Sequence, residues 1–246
     1  MSAFFALHQD LPREGPGNDA STLEALKRLP PLPPHPRVLD LGCGPGQQTL
    51  VLARALQTKI VAVDTHQPFL DQLNRSAAEA GLAGFIETRC TDMGALDVAE
   101  GSIDLIWSEG AAYILGFGEA LRRWSRLLVP GGCLAVTELS WLTEHRPAVA
   151  LEFWGRHYPP MISVSENVRT AEAVGLEVFD TFPLPAIAWW EQYYGPMEER
   201  IAYLRPNADA ELKIVLDGGD EEIDMYRRFG DSYGYVFYLL RKPVVR

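Results

Sequence analysis

Val38-Leu39-Asp40-Leu41-Gly42-Cys43-Gly44-Pro45-Gly46-Gln47-Gln48-Thr49 decides the fold of this 246-residue chain. Its apolar opening, bounded by glycines, reads as a buried parallel strand. From Gln48 to Leu56 the apolar residues return with helical spacing, so the glycines fall in a strand-to-helix turn. Glycine there removes the Cβ that would hold a ligand off the backbone, and the first amides of the helix project unpaired toward polar or anionic groups.

Spacing separates the candidate ligands. The dinucleotide fingerprint G-x-G-x-x-G needs glycine at 42, 44 and 47, but position 47 is Gln47 and the third glycine is Gly46. With Asp40 ahead of it, the stretch D-x-G-x-G-x-G resembles motif I of the class I S-adenosylmethionine-dependent methyltransferases. The resemblance implies an α/β fold: a Rossmann-like doubly wound sheet of seven strands, mostly parallel. It also implies a cofactor site on Asp40, Gly42, Gly44, Gly46, Gln47, Gln48 and Thr49.

Lys59 to Val63 is a second buried strand, and Asp64 ends it about 20 residues beyond the glycines, placed to accept from both hydroxyls of a bound ribose, with Thr65 beside it. The alternative for Asp64 is a cap on the helix expected near Gln67. Phe85 to Cys90 is a third strand leading into Thr91-Asp92-Met93, where the resemblance implies that Asp92 accepts from the adenine amino group and the Met93 amide donates to the ring. A solvated loop aspartate is the alternative there. Ser102 to Gly110 supplies the fourth strand. Ser108, Glu109 and Tyr113 lie at its carboxyl end, where open α/β sheets bind ligands.

Val129-Pro130-Gly131-Gly132 is a turn before a fifth strand over Cys133 to Glu138, again characteristic of the same family, and the specific resemblance covers residues 36 to 140. The closing third resembles methyltransferases of the ubiquinone and menaquinone biosynthesis type, in Trp107 to Tyr113 and in Tyr233 to Tyr238. Leu176 to Asp180 and Tyr235 to Leu240 are the sixth and seventh strands, and the resemblance inserts the seventh antiparallel between the fifth and sixth. A helical insertion over 184 to 230 is expected to form a lid. The organisation expected is one methyltransferase domain over 1–246. Residues 1–35 form an N-terminal helix and proline-rich connection, 36–140 the cofactor-binding core, 141–232 the substrate-side segments and lid, and 233–246 the final strand.

Locally, Ser21-Thr22-Leu23-Glu24 reads as a capping box opening a helix that the prolines after Leu29 end. In relatives such a helix and loop cover the cofactor, which makes Gly15 to Gly17 a further binding candidate. The helix from Pro68 to Ala80 gathers Phe69, Leu70, Leu73 and Ala77 on one face, and the helix after the fourth strand presents Ile114, Phe117, Leu121, Trp124, Leu127 and Leu128 as core.

Acidic residues outnumber basic ones 33 to 22, a net charge of -11 with no Lys/Arg cluster. This argues against nucleic acid as a partner and favours a small neutral or cationic substrate. Cys43, Cys90 and Cys133 lack metal-ligand spacing and read as buried free thiols in a reducing compartment, with no metal expected. Residues 1–7 lack a basic n-region and no apolar run reaches the length of a span, so the expectation is a cytoplasmic protein. A homodimer stays open.

The resemblance implies S-adenosylmethionine as methyl donor and S-adenosylhomocysteine as product. The chain must then align a nucleophile with the methyl group, and orientation of that kind supplies about 7 to 11 kcal/mol of barrier reduction. A general base is needed only for a nucleophile that arrives protonated. Glu109 is the first candidate, with Tyr113 and His157 as further catalytic candidates and His145 on the same segment as His157. Glu109 could instead bind the cofactor's amino group. Tyr113, Trp141, Trp154, Tyr158, Trp189, Trp190, Tyr193 and Tyr194 suit a planar or apolar acceptor, their faces also accommodate a cation, and packing of the lid is their alternative use. Two functions compete: a non-catalytic S-adenosylmethionine-binding regulator or assembly protein, and a nicotinamide-dependent oxidoreductase, against which Gln47 argues. No Asn-Pro-Pro-Tyr-type signature follows the fourth strand, which lowers methylation of nucleobase or glutamine amides.

Overall fold

Strand β1 (Val38–Leu41) is buried along its whole length, as its apolar run requires of a strand covered on both faces. The computed structural model describes residues 3–244. The remaining strands are β2 (Ile60–Asp64), β3 (Ile86–Cys90), β4 (Ile103–Ser108), β5 (Leu128–Trp141), β6 (Glu177–Pro183) and β7 (Tyr233–Arg241). They form one seven-stranded sheet in the order β3-β2-β1-β4-β5-β7-β6. The chain runs outward from β1 to β3 and then crosses back to place β4 beside β1, in parallel. The crevice at this reversal is where a doubly wound sheet binds its ligand.

The seventh strand is where the resemblance puts it. It pairs antiparallel with β5 from Cys133↔Arg241 to Trp141↔Tyr233, and antiparallel with β6 on its other side. Strand β5 starts earlier than expected, because Leu128 pairs with Ile103 before Cys133 pairs with Leu105. The Pro-Gly-Gly turn is therefore a bulge within the strand, and Gly131 supplies the positive φ of +82° that it needs.

Helix α1 (Ala3–His8) precedes α2 (Asp19–Arg28), whose cap is Asn18: its Oδ1 accepts from the Ser21 amide at 2.9 Å. The expected box at Ser21 and Glu24 does not form, because the earlier cap starts the helix before Ser21 and buries that side chain. Asn18→Ala is expected to cost about 1 kcal/mol in thermal or urea unfolding, the usual loss of a cap. Helices α3 (Gln47–Leu56), α4 (Gln67–Glu79), α5 (Phe117–Leu127), α6 (Ala148–His157) and α7 (Val164–Ala173) flank the sheet. Leu70, Leu73 and Ala77 of α4 are core, as are Phe117, Leu121 and Trp124 of α5. Ile114 is not: it lies in a short turn ahead of α5 and is 64% exposed.

After β6, α8 (Ile187–Trp189), a widened π-turn (Trp190–Tyr194), α9 (Gly195–Leu204) and α10 (Ala210–Phe229) build the lid. Pro196, at the start of α9, has no N–H to bond back, and such a gap is a recognised cause of widened turns. Apolar clusters cover both faces of the sheet, and a third, rich in aromatics, joins the lid to the ends of β5 and β7. Cys43 and Cys133 are buried free thiols as expected, but Cys90 is exposed, because β3 is the edge strand and the residue ends it. Among the described residues no helix is long and apolar enough to cross a membrane, and no group of three metal-ligating side chains converges.

Candidate functional site

The turn after β1 takes the conformation its glycines allow. Gly42 and Gly46 have φ of +69° and +86°, and a Cβ would come within 2.3 Å of Ala111 Cβ at the first and 2.4 Å of Leu73 Cδ1 at the second. Only glycine fits both the backbone and the space. The Gly42 and Cys43 amides both donate to Val63 O at 2.9 Å, and the Gly44 amide donates to Asp64 Oδ2 at 2.9 Å. Asp64 Oδ1 accepts from the His66 amide at 2.8 Å. One carboxylate at the end of β2 thus holds the glycine turn and the start of α4 together.

Asp40 lies beneath the turn with no exposed surface. Thr49 Oγ1 donates to its Oδ2 at 2.5 Å and Gln48 Nε2 to its Oδ1 at 3.5 Å. Burial pushes its carboxyl up to about 7, against the effect of the Thr49 hydrogen bond. A folded-state value above the unfolded one makes the protonated form the stable one, so stability falls as pH rises from about 4 to about 7 and levels above that. Such a group contributes up to about 1.4 kcal/mol per pH unit in the window. Urea unfolding of Asp40→Asn at pH 5 and pH 7 is expected to show a shallower decline than the parent. An equal decline would place the titration elsewhere.

Two adjoining cavities open in front of the turn. The smaller, about 230 Å³, is lined by Gly42, Gly44, Gln48, Asp64, Thr65, Glu109 and Tyr113 of the expected residues. The larger, about 430 Å³, lies under the lid and takes Tyr113 and His157. Phe4, Glu14, Gly15, Pro16, Gly110 and Tyr113 border both. Gly15 and Gly110 face open space where a Cβ would stand, so the chain leaves a cradle at the junction. Asp40, Gly46, Gln47, Thr49, Met93 and Ser108 lie behind this surface. Met93 is buried, and Ser108 donates to Leu41 O at 2.9 Å. Asp92 is exposed beyond the smaller cavity, its Oδ1 accepting from the Gly94 amide at 2.7 Å. His145 sits on an exposed loop away from both cavities.

Glu109 is held by three donors. Thr22 Oγ1 and Trp107 Nε1 donate to Oε1 at 2.7 and 2.8 Å, and Arg13 Nη1 donates to Oε2 at 2.9 Å. The Arg13 and Glu109 side chains are only 5% and 4% exposed. Arg13 Nε also donates to Gln192 Oε1 at 2.8 Å, and Asn18 Nδ2 to Glu191 Oε2 at 3.0 Å. The end of β4, the N-terminal segment and the π-turn of the lid are clasped through these side chains.

The larger cavity is bounded by Trp154, Tyr158, Trp189 and Tyr193 of the expected aromatics, whereas Trp141, Trp190 and Tyr194 pack behind them. Tyr158 O–H donates to Glu138 Oε1 at 2.5 Å, and burial pushes the Glu138 carboxyl up to about 7. Tyr113 meets Tyr158 edge to face at 5.9 Å between ring centres. His157 is stacked on Phe153 at 4.4 Å on the exposed rim. Arg13, Thr22, Glu138 and Glu222, which also lines this cavity, were not expected. Glu138 alone left a signal, a carboxylate among the apolar residues of a central strand.

A family model described as a methyltransferase domain matches residues 38–132. Dimethylglycine N-methyltransferase of Parasynechococcus marenigrum (strain WH8102) is 33% identical over 164 residues, 65% of this chain and 59% of that protein. The matched region thus spans less than two thirds of that relative's length. The 27-O-demethylrifamycin SV methyltransferase of Amycolatopsis mediterranei (strain S699) is 22% identical over 233 residues, 89% of this chain and 82% of that protein. Among solved structures, an S-adenosylmethionine-dependent methyltransferase from Geobacter sulfurreducens, in complex with S-adenosylhomocysteine, superposes with a TM-score of 0.79 at 22% identity, covering 97% of this chain and 96% of that one.

Proposed function

We propose that residues 38–132, which match a methyltransferase-domain model and fold as the central part of a seven-stranded doubly wound sheet, bind S-adenosylmethionine, and that the protein transfers its methyl group to a small-molecule acceptor. The observation that carries this reading is Asp64: a carboxylate at the end of β2, tied to the glycine turn at the wall of one cavity, with a second, aromatic cavity adjoining.

Asp64 would accept from the ribose hydroxyls, while Gly42, Gly44, Gln48 and Thr65 border the same space. Asp40, Gly46, Gln47 and Thr49 support the turn from behind, and Ser108 fixes the end of β4 against β1. Asp92 and Met93 remain assigned to the adenine end on the family resemblance. The bound cofactor supplies an activated methyl group on a sulfonium, so the protein's task is orientation and exclusion of water. Gly15 and Gly110 keep the junction of the cavities open, and Tyr113 stands beside it.

Glu109 takes a different part from the base expected of it. Both of its oxygens accept from Arg13, Thr22 and Trp107, and we assign it to holding the N-terminal segment over the site. Tyr158, backed by Glu138, is the group on the acceptor side with a proton acceptor behind it. His157 sits at the rim.

Calorimetric titration of the protein with S-adenosylmethionine, S-adenosylhomocysteine and NAD tests the reading. One saturable site for the first two and none for NAD is expected, followed by transfer of labelled methyl to an acceptor. Failure of both adenosyl ligands to bind folded, ligand-free protein would remove the reading. Binding without turnover on any acceptor would point to a non-catalytic role.

A further inference from the structure

Apart from its aromatic walls, the larger cavity is unusual in its charge. Glu14 and Glu222 face it, together with His8 and His157, and no lysine or arginine does. The imidazole of His8 is already paired with Glu14 at 2.8 Å, and His157 lies at the exposed rim. Glu222, on α10, is different. Its Oε1 accepts from Tyr194 O–H at 2.8 Å, and among the described residues no basic side chain forms an ion pair with it. Withdrawal from solvent pushes its carboxyl up, against the Tyr194 hydrogen bond and the nearby imidazoles of His8 and His157.

A carboxylate in such surroundings either takes a proton or takes a cation. The rings beside it favour the second, because aromatic faces attract an ammonium group and an enclosed site strengthens the attraction. A carboxylated or phosphorylated acceptor would meet Glu14 and Glu222 with the wrong sign, in a chain that already carries a net charge of -11. A neutral acceptor would leave Glu222 with the Tyr194 hydroxyl but without an ion-pair partner.

We propose that the larger cavity binds an amine or quaternary ammonium group of the acceptor, with Glu222 as its counter-ion and Trp154, Trp189 and Tyr193 as its aromatic enclosure. The description of this ligand as an acceptor rests on the methyl-transfer reading; the cation site itself does not. Its position is suited to both, since Gly15, Gly110 and Tyr113 border this cavity and the smaller one alike.

The test is calorimetric titration of the full chain with choline and with 3,3-dimethyl-1-butanol, which has the same shape with carbon in place of the charged nitrogen. Each is run with and without S-adenosylhomocysteine. Choline is expected to bind saturably and at least about tenfold more tightly than its neutral isostere, the least that one charge-assisted contact provides. Glu222→Gln, with an unchanged melting temperature, is expected to remove most of that preference. Equal binding of the two probes, or no binding of choline, overturns the proposal in the parent protein without recourse to any variant. If S-adenosylhomocysteine binds and choline does not, the cation site falls and the methyl-transfer reading stands. If choline binds through Glu222 and S-adenosylhomocysteine does not bind, the reverse holds.

Discussion

Replacing Asp64 by alanine will weaken binding of S-adenosylhomocysteine by roughly a hundredfold or more. The carboxylate stands at the end of β2 at the cavity wall, and each ribose hydroxyl donating to it contributes about 1.5 kcal/mol or more, as hydrogen bonds to charged groups do. Both oxygens are already oriented, one by the Gly44 amide at 2.9 Å and the other by the His66 amide at 2.8 Å. Little ordering therefore remains to be done when the ligand arrives, and the full strength of the contact reaches the affinity. Asp64→Asn keeps the shape and one acceptor, and is expected to lose less, about tenfold. Calorimetry measures both, with thermal unfolding as the control. The midpoint reports separately the loss of the two backbone amides that Asp64 also holds, those of the buried Gly44 and of His66. Unchanged affinity in Asp64→Ala would mean that the cofactor lies elsewhere than against the glycine turn.

The second large effect is expected in stability. Arg13→Ala leaves Glu109 buried beside Trp107 and Thr22 with no countercharge, and removal of one partner from a buried pair costs about 3 to 5 kcal/mol. For a chain of this size that is a fall of roughly 10 °C in the unfolding midpoint. The double variant Arg13→Met, Glu109→Gln removes the stranded charge as well and should recover much of the loss. The same substitution cuts the link from Arg13 to Gln192 at 2.8 Å, so amide exchange in residues 3–17 should accelerate before global unfolding. A loss below about 1 kcal/mol would show that the pair is hydrated and that the N-terminal segment is held by other contacts.

The elements readable in the sequence were those fixed by neighbouring residues. The glycine turn was legible because Gly42 and Gly46 answer steric demands that no other residue meets, and Asp64 because it closes an apolar run. Periodicity found α4 and α5, but it extended the core to Ile114, since the break at Gly116 costs the pattern nothing. The sequence reading put the cap at Ser21 with Glu24, one turn too late; the cap is Asn18, whose side chain also reaches Glu191 on the lid. The clasp on Glu109 was illegible for a related reason. Arg13 and Thr22 lie 96 and 87 residues away in sequence, and only the crossing from β3 back to β4 brings that strand end under the N-terminal segment. Glu222 was hidden too, because one more acid on a long amphipathic helix looks like any solvated residue until α10 is folded against Tyr194.

The placement of the tryptophans gives the protein an optical reporter. Of its six tryptophans, Trp154 and Trp189 border the larger cavity, whereas Trp124 lies on the buried face of α5, donating to Met93 O at 3.2 Å. Trp107 is bonded to Glu109 at the other end of the site. Emission from the first two should respond to an occupant of the lid cavity, while that of Trp124 stays constant and serves as an internal reference. Ligand screening can therefore begin by intrinsic fluorescence, before any turnover has to be detected.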